Sequence, residues 1–221
     1  MAELRPPGWP FGAEVPLPSK VVCVAANYRD HAAEMGRPVP TSPRLFLKPT
    51  TALVGPGEPI PLPAGSARVD HEAELAVVVG RPLRDATPGE ALAGVLGYTC
   101  LNDVTARDWQ RADGIFGRAK GADGFCPVGP VLAAGLDPGD LRVRCRVDGE
   151  LRQDGTTADM VFPVAELLAF ISRVMTLRPG DIVATGTPAG VGPLRPGQVV
   201  EVEIEGIGVL RNPVVARPVA G

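Results

Sequence analysis

Apolar residues along the chain fall into many short runs broken by glycine and proline. Runs at 20–26, 44–48, 71–80, 94–103, 141–149, 181–186, 198–206 and 208–215 read as strands, and their close spacing favours mostly antiparallel sheet. In RVRCRV, Val143, Cys145 and Val147 alternate with Arg142, Arg144 and Arg146, the period of a strand with one wet face. Asp148-Gly149 then supplies a hairpin turn before ELRQDG. The clearest helical pattern is 163–177, with Pro163 in the first turn and Leu167, Phe170, Ile171 and Val174 forming one stripe. Short helical turns are expected at 29–35, 88–93 and 104–112, and LRPGDIV and LRPGQVV each read as a Pro-Gly turn feeding a strand. The fold class is therefore α+β, mostly β, with few helices.

Composition narrows the picture. The 221 residues suffice for one core, and no linker divides them, so a single domain over 20–216 is expected, with an N-terminal extension (1–19) and a short tail (217–221). Net charge is −3, from 22 basic and 25 acidic residues, with no basic block and few aromatics. That argues against nucleic-acid or anionic-membrane partners and leaves a small molecule as the expected one. The first residues lack the apolar stretch of a secretory signal, and no run approaches the ~18 apolar residues of a membrane span. Cys23, Cys100, Cys126 and Cys145 form no C-x-x-C pair, so reduced core thiols and a cytoplasmic location are expected.

Candidate chemistry concentrates in a few segments. In VDHEAEL an extended strand puts Asp70, Glu72 and Glu74 on one face. Crowded carboxylates near a core are costly unless a cation binds them, although a solvated strand end would also carry them. Asp103 in LNDVTARDWQ ends another strand and offers a third oxygen ligand, and such a set suits Mg²⁺ or Mn²⁺. Two histidines and four scattered cysteines make a poor zinc site. His31 and Glu34 in NYRDHAAEM are three apart, a spacing that stacks them on one helical face as either a catalytic dyad or a wet turn. Arg107 and Gln110 share a helical face beside Asp103 or merely a surface, and Lys120 sits in a glycine-rich loop. ATGTPAGVG offers turn N–H groups and the Thr187 hydroxyl to a carboxylate, but matches neither a P-loop nor a dinucleotide fingerprint.

Taken in order, NYRDHAAE, LFLKP, DHEAELAVVVGR, GYTCLNDVTARDWQ, KGADGFCPVGP, PGDIVATGTPAGVG and VEVEIEGIGVLRNPV resemble the fumarylacetoacetate hydrolase family from about residue 20 to about 215. The similarity is to its short single-domain branch of acylpyruvate hydrolases and oxaloacetate decarboxylases. It implies mixed sheets rolled into a β-sandwich-like barrel and a homodimer. It also implies metal ligands at Glu72, Glu74 and Asp103, an acid-base pair at His31 and Glu34, and a cation at Lys120. Substrate contacts fall on Arg107, Gln110, Thr187 and Lys48. The chain departs from the family pattern with His71 where tyrosine is frequent, Ala25 where glycine is common and Gly124 where threonine is frequent.

The activity so implied is Mg²⁺- or Mn²⁺-dependent cleavage of short 2-keto acids, by acylpyruvate hydrolysis or oxaloacetate decarboxylation through a pyruvate enolate. Isomerisation of an unsaturated 2-keto dicarboxylate of aromatic catabolism needs the same parts. A non-catalytic metal-binding β-domain is the alternative of another class. Polar and edged by Gly36 and Pro38, the 29–40 segment reads as a mobile lid whose helical turn orders over substrate.

Overall fold

The computed structural model describes residues 10–217, so residues 1–9 of the expected N-terminal extension and 218–221 of the C-terminal tail lie outside the described residues. Strands run in the order β1 (Val21–Ala25), β2 (Arg44–Lys48), β3 (Leu53–Val54), β4 (Ile60–Leu62), β5 (Val69–His71), β6 (Ala73–Val79), β7 (Val95–Asn102), β8 (Thr105–Ala106), β9 (Cys126–Ala133), β10 (Arg142–Val147), β11 (Glu150–Thr156), β12 (Ile182–Ala184), β13 (Gly192–Pro193), β14 (Val199–Ile204) and β15 (Gly208–Ala216). The helices are α1 (Arg29–Glu34), α2 (Pro88–Leu92), α3 (Arg107–Asp113), α4 (Gly117–Lys120) and α5 (Val164–Val174). The fold is mostly β, as the apolar pattern implies. A seven-stranded sheet (β2-β1-β12-β6-β7-β9-β3) faces a five-stranded one (β11-β10-β14-β15-β4), and a small sheet (β13-β5-β8) closes one side.

The main core fills the space between the two large sheets. Leu75, Val77 and Val79 of β6 meet Val143, Cys145 and Val147 of β10 and Val200, Val202 and Ile204 of β14. The opposite face of β6, Ala76 and Val78, packs with Val21, Cys23, Ile182 and Ala184 in a second apolar layer. Burial on both faces explains why AVVV is an unbroken apolar run. Phe11 and Val15 belong to that second layer, so this part of the expected extension is packed into the body. All four cysteines are buried free thiols. Among the described residues no helix is long and apolar enough to cross a membrane.

Local chemistry explains most elements. Asp148 (φ 53°) and Gly149 (φ 81°) both take positive φ, the two-residue turn that matches the twist of the β10–β11 hairpin. Thr87 and Glu90 cap α2 reciprocally.

Three expectations change. The strand expected over 71–80 breaks at Glu72, where β5 enters the small sheet and β6 the large one. At the break Glu72 N donates to Asn102 Oδ1 (3.0 Å) and Ala73 N to Gln153 Oε1 (3.0 Å). Helix α5 is shorter than expected, and its buried stripe is Val164, Leu167, Leu168 and Ile171, while Val174 lies 61 % exposed. The apolar spacing is kept but shifted along the helix, because the chain turns extended at Met175. Strand β9 is unanticipated, since Pro127, Gly129 and Pro130 interrupt its apolar run. It is accommodated where the β7–β9 ladder shifts register between Tyr98 and Cys100.

Asp181 ties the beginning of β12 to the beginning of β1. Its Oδ1 accepts from Ser19 N (2.8 Å), Ser19 Oγ (2.7 Å) and Lys20 N (3.2 Å), and its Oδ2 accepts from Arg178 N (2.8 Å) and pairs with Lys20 Nζ. Burial opposes ionisation, yet the Lys20 ammonium and the N–H and O–H donors hold this carboxyl below its usual range. A depressed folded-state pKa stabilises the fold above the unfolded-state value of about 3.9, and that contribution fades as pH falls through the folded-state value. Asp181→Ala is expected to lower the unfolding free energy at pH 7 by about 3 kcal/mol in denaturant titrations. The gap to the unmutated protein should narrow below about pH 4, and a constant gap would contradict the assigned role.

Candidate active site

The break between β5 and β6 builds the floor of a cleft. Glu72 stands at the break, Glu74 on β6, and Asp103 directly after β7, where Asp103 N donates to Glu72 O (2.9 Å). One carboxylate oxygen from each lies within 4.8 Å of the others, and all three side chains are buried. Asp70 is turned to Arg68 (2.9 Å) and to Arg107 Nε (2.9 Å), so it stands outside this set.

Positive charge surrounds two of the three carboxylates. Arg107 Nη2 lies 2.6 Å from Glu72 Oε1, and Lys120 Nζ lies 3.0 Å from Glu72 Oε2 and 2.5 Å from Asp103 Oδ2. Burial disfavours the charged form of Glu72, but Lys120 and Arg107 outweigh it and hold its pKa below the usual range. Burial likewise works against the Lys120 ammonium, and Asp103 and Glu72 outweigh it, raising its pKa. Glu74 differs. It accepts from Gly186 N (2.7 Å) and has no ion-pair partner among the described residues. Burial, reinforced by Asp103 and Glu72, pushes its pKa well above the normal carboxyl range. Three buried oxygens lacking positive charge at Glu74 fit a hard divalent cation such as Mg²⁺ or Mn²⁺.

Gly186 is required where it stands. At φ 97° its backbone is left-handed, and a Cβ there would lie 2.8 Å from Asn27 Cβ. The N–H that serves Glu74 thus depends on the bare backbone of T-G-T-P.

Opposite the floor, α1 carries the paired groups. His31 Nδ1 is 2.9 Å from Glu34 Oε2, His31 is buried, and its ring lines the cleft with the three carboxylates. With Glu34 accepting from Nδ1–H, Nε2 is the basic nitrogen. The helix is formed and docked: Ala189 N donates to Asp30 Oδ2 (3.1 Å) and Gly190 N to Glu34 Oε1 (3.0 Å). These two bonds latch the helical turn to the loop after β12.

The remaining expected residues divide. Arg107, Gln110, Lys120 and Thr187 all line the cleft. Gln110 Oε1 accepts from Arg107 Nη1 (3.2 Å). Thr187 Oγ1 donates to Ala73 O (2.8 Å) and accepts from Gln153 Nε2 (2.7 Å), so its proton serves the backbone between Glu72 and Glu74, in place of the expected substrate carboxylate. Lys48 is a correction. It is buried behind Asp103, with Nζ 2.7 Å from Asp103 Oδ1 and donating to Lys120 O (2.6 Å), Phe125 O (2.7 Å) and Val104 O (3.1 Å). Its donors are spent inside the protein, and it positions Asp103 where a substrate contact was expected.

Sequence reasoning passed over Gln153, whose amide joins the site from β11. Its Oε1 accepts from His71 Nδ1 (3.1 Å) and Ala73 N (3.0 Å), and its Nε2 donates to Thr187 Oγ1 and Pro188 O (2.8 Å). Burial lowers the His71 pKa, keeping the ring neutral and suited to this bond. A regular two-residue hairpin would set Arg152 opposite inward-facing Cys145, and only the register shift between Cys145 and Arg146 brings Gln153 there, so the sequence offered no signal for it. Phe46 and Phe116, with ring centroids 4.8 Å apart, Met35 and Arg37 complete the cleft wall and were not among the expected site residues.

Comparison with known proteins agrees with this arrangement. Residues 20–215 match the fumarylacetoacetate (FAA) hydrolase C-terminal family. The chain is 50 % identical to 5-carboxymethyl-2-hydroxymuconate delta-isomerase from Mycobacterium smegmatis, over 92 % of this chain and 81 % of that one, with a TM-score of 0.87. It is also 50 % identical to 2-hydroxyhepta-2,4-diene-1,7-dioate isomerase from Mycobacterium marinum, over 91 % and 77 %, with a TM-score of 0.85. A mitochondrial oxaloacetate tautomerase of Bos taurus is 46 % identical over 219 residues, 93 % of this chain and 69 % of that protein. By motif order, fold and near full-length identity, the chain belongs to the fumarylacetoacetate hydrolase family, whose members here are enzymes.

Proposed function

We propose that the protein is a divalent-metal-dependent enzyme that moves protons between the keto and enol forms of short 2-keto acids. The observation that carries this reading is one cleft holding both the Glu72–Glu74–Asp103 oxygen set and the His31–Glu34 pair. A Mg²⁺ or Mn²⁺ ion held by the three carboxylates would polarise the keto group as a Lewis acid. Glu34 fixes the His31 tautomer, and His31 Nε2 takes a proton from the carbon beside the keto group and returns it at the other end of the enol system. Lys120 and Arg107 place positive charge at the cleft floor, where negative charge develops on oxygen. The Phe46–Phe116 wall lines the cleft with apolar surface, which would shield the reacting carbon from water.

Cleavage of a carbon–carbon bond, expected from sequence, is the second reading. There His31 deprotonates water, the hydroxide attacks a distal carbonyl, and pyruvate leaves as its enolate. Decarboxylation of oxaloacetate needs the same enolate and no water. The tautomerase and isomerase relatives favour proton transfer over cleavage. The same reading takes the protein as a cytoplasmic homodimer with a 2-keto acid as its partner.

With Mn²⁺ present, oxaloacetate should lose enol absorbance faster than it releases pyruvate if proton transfer dominates. Equal rates would favour the cleavage reading, and no effect on oxaloacetate, acetylpyruvate or an unsaturated 2-keto diacid would refute both. His31→Ala is expected to lower turnover by about 10²–10⁴-fold while calorimetric Mn²⁺ affinity stays within about threefold. Unchanged turnover would remove His31 from the mechanism. Replacing both Glu72 and Glu74 with alanine should abolish Mn²⁺ binding and turnover together, and retained binding would relocate the metal.

A further inference from the structure

The cations of the cleft are not equivalent. Arg107 is engaged by Asp70 and Glu72, and Lys120 by Glu72 and Asp103, so both are tied to the floor. Arg37 lines the same cleft, is exposed, and among the described residues its guanidinium has no ion pair or hydrogen bond. Its backbone is nevertheless fixed. Gly36 (φ 60°) ends α1 in a left-handed turn, Gly36 N donates to Ala33 O (3.0 Å) and Arg37 N donates to Ala32 O (2.9 Å). The cap folds the chain back along α1, so Arg37 stands on the wall that carries His31.

Between floor and mouth the lining is apolar. Lys120 Nζ lies 5.0 Å from the centre of the Phe46 ring, which places that ring beside the floor. Phe116 and Met35 continue the surface. A ligand whose 2-keto acid end sits on the floor would run its carbon chain along this wall and bring its far end towards the mouth.

We propose that Arg37 is a specificity-determining residue that binds a second carboxylate at the distal end of the substrate, making the substrate class 2-keto dicarboxylates. This rests on the functional reading above and deepens it. A guanidinium free of internal partners can meet a carboxylate with two parallel N–H···O bonds, whereas a distal methyl would leave it to water. The inference separates substrates such as oxaloacetate from acetylpyruvate, whose distal end is uncharged.

A binding test isolates this contact from turnover. The matched probes are 2-oxoglutarate and 2-oxopentanoate, equal in length and differing only in a distal carboxylate or methyl, titrated calorimetrically into the Mn²⁺-loaded protein. The unmutated protein should bind the diacid about tenfold or more tightly than the monoacid. Arg37→Met should bring the ratio to about one, and Arg37→Lys should restore part of it. A ratio unchanged by Arg37→Met, or equal weakening of both probes, would overturn the assignment. If the ratio collapses as expected while no 2-keto acid is turned over, the functional reading fails and the Arg37 subsite stands. Turnover with a ratio independent of Arg37 would instead remove the subsite and leave the functional reading in place.

Discussion

Burying Asp70, Glu72, Glu74 and Asp103 next to a β core is the constraint on which the rest of the structure depends. An uncompensated buried carboxylate costs several kcal/mol, and removing one member of a buried pair costs about 3–5 kcal/mol. The chain answers with three cations from separate elements: Arg107 at the first residue of α3, Lys120 at the end of α4 and Lys48 at the end of β2. Lys48 also holds the carbonyls of Val104, Lys120 and Phe125, so the segments carrying Asp103 and Lys120 are drawn to one ammonium. Compensation stops short of Glu74, which leaves the three-carboxylate floor short of positive charge at that residue.

Much of this was legible in the sequence because it is written in local patterns. Glu72, Glu74 and Asp103 come together as the E-x-E and N-D segments imply, although the strand breaks at Glu72 and leaves Asp70 outside, and the His31–Glu34 spacing becomes a 2.9 Å contact. The β10–β11 hairpin follows from RVRCRVDG. What could not be read depends on contacts between distant segments. The strand break at Glu72 is set by Asn102 and Gln153, respectively 30 and 80 residues from the positions they hold. Lys48 looks like any strand-end lysine until the carbonyls around it are known. The α5 stripe is decided by where the chain leaves the helix, and β9 by a neighbour that tolerates its prolines.

The cleft divides its tasks between two kinds of scaffold. Its acidic floor is set in sheets buried on both faces, with Leu75 and Val77 on one side of the core and Ala76 and Val78 on the other. His31, the proposed base, rides on a six-residue helix held by hydrogen bonds to Ala189 and Gly190. Glu34 takes part in both arrangements, orienting His31 with one oxygen and anchoring the helix with the other. The orientation of the His31 ring and the docking of the helix are therefore properties of a single carboxylate.

Gln153 has a geometric consequence beyond its bond count. Its amide uses every donor and acceptor it has on His71 of the small sheet, Ala73 of the seven-stranded sheet and the Thr187–Pro188 turn, while its own strand belongs to the five-stranded sheet. Three separately built layers thus share one reference point, adjacent to the carboxylate floor. Positional errors in the layers do not add up along the chain from Glu72 to Thr187, because each layer is gauged against the same few atoms. A β-rich body built from three sheets can in this way hold the residues around its cleft in a fixed mutual position.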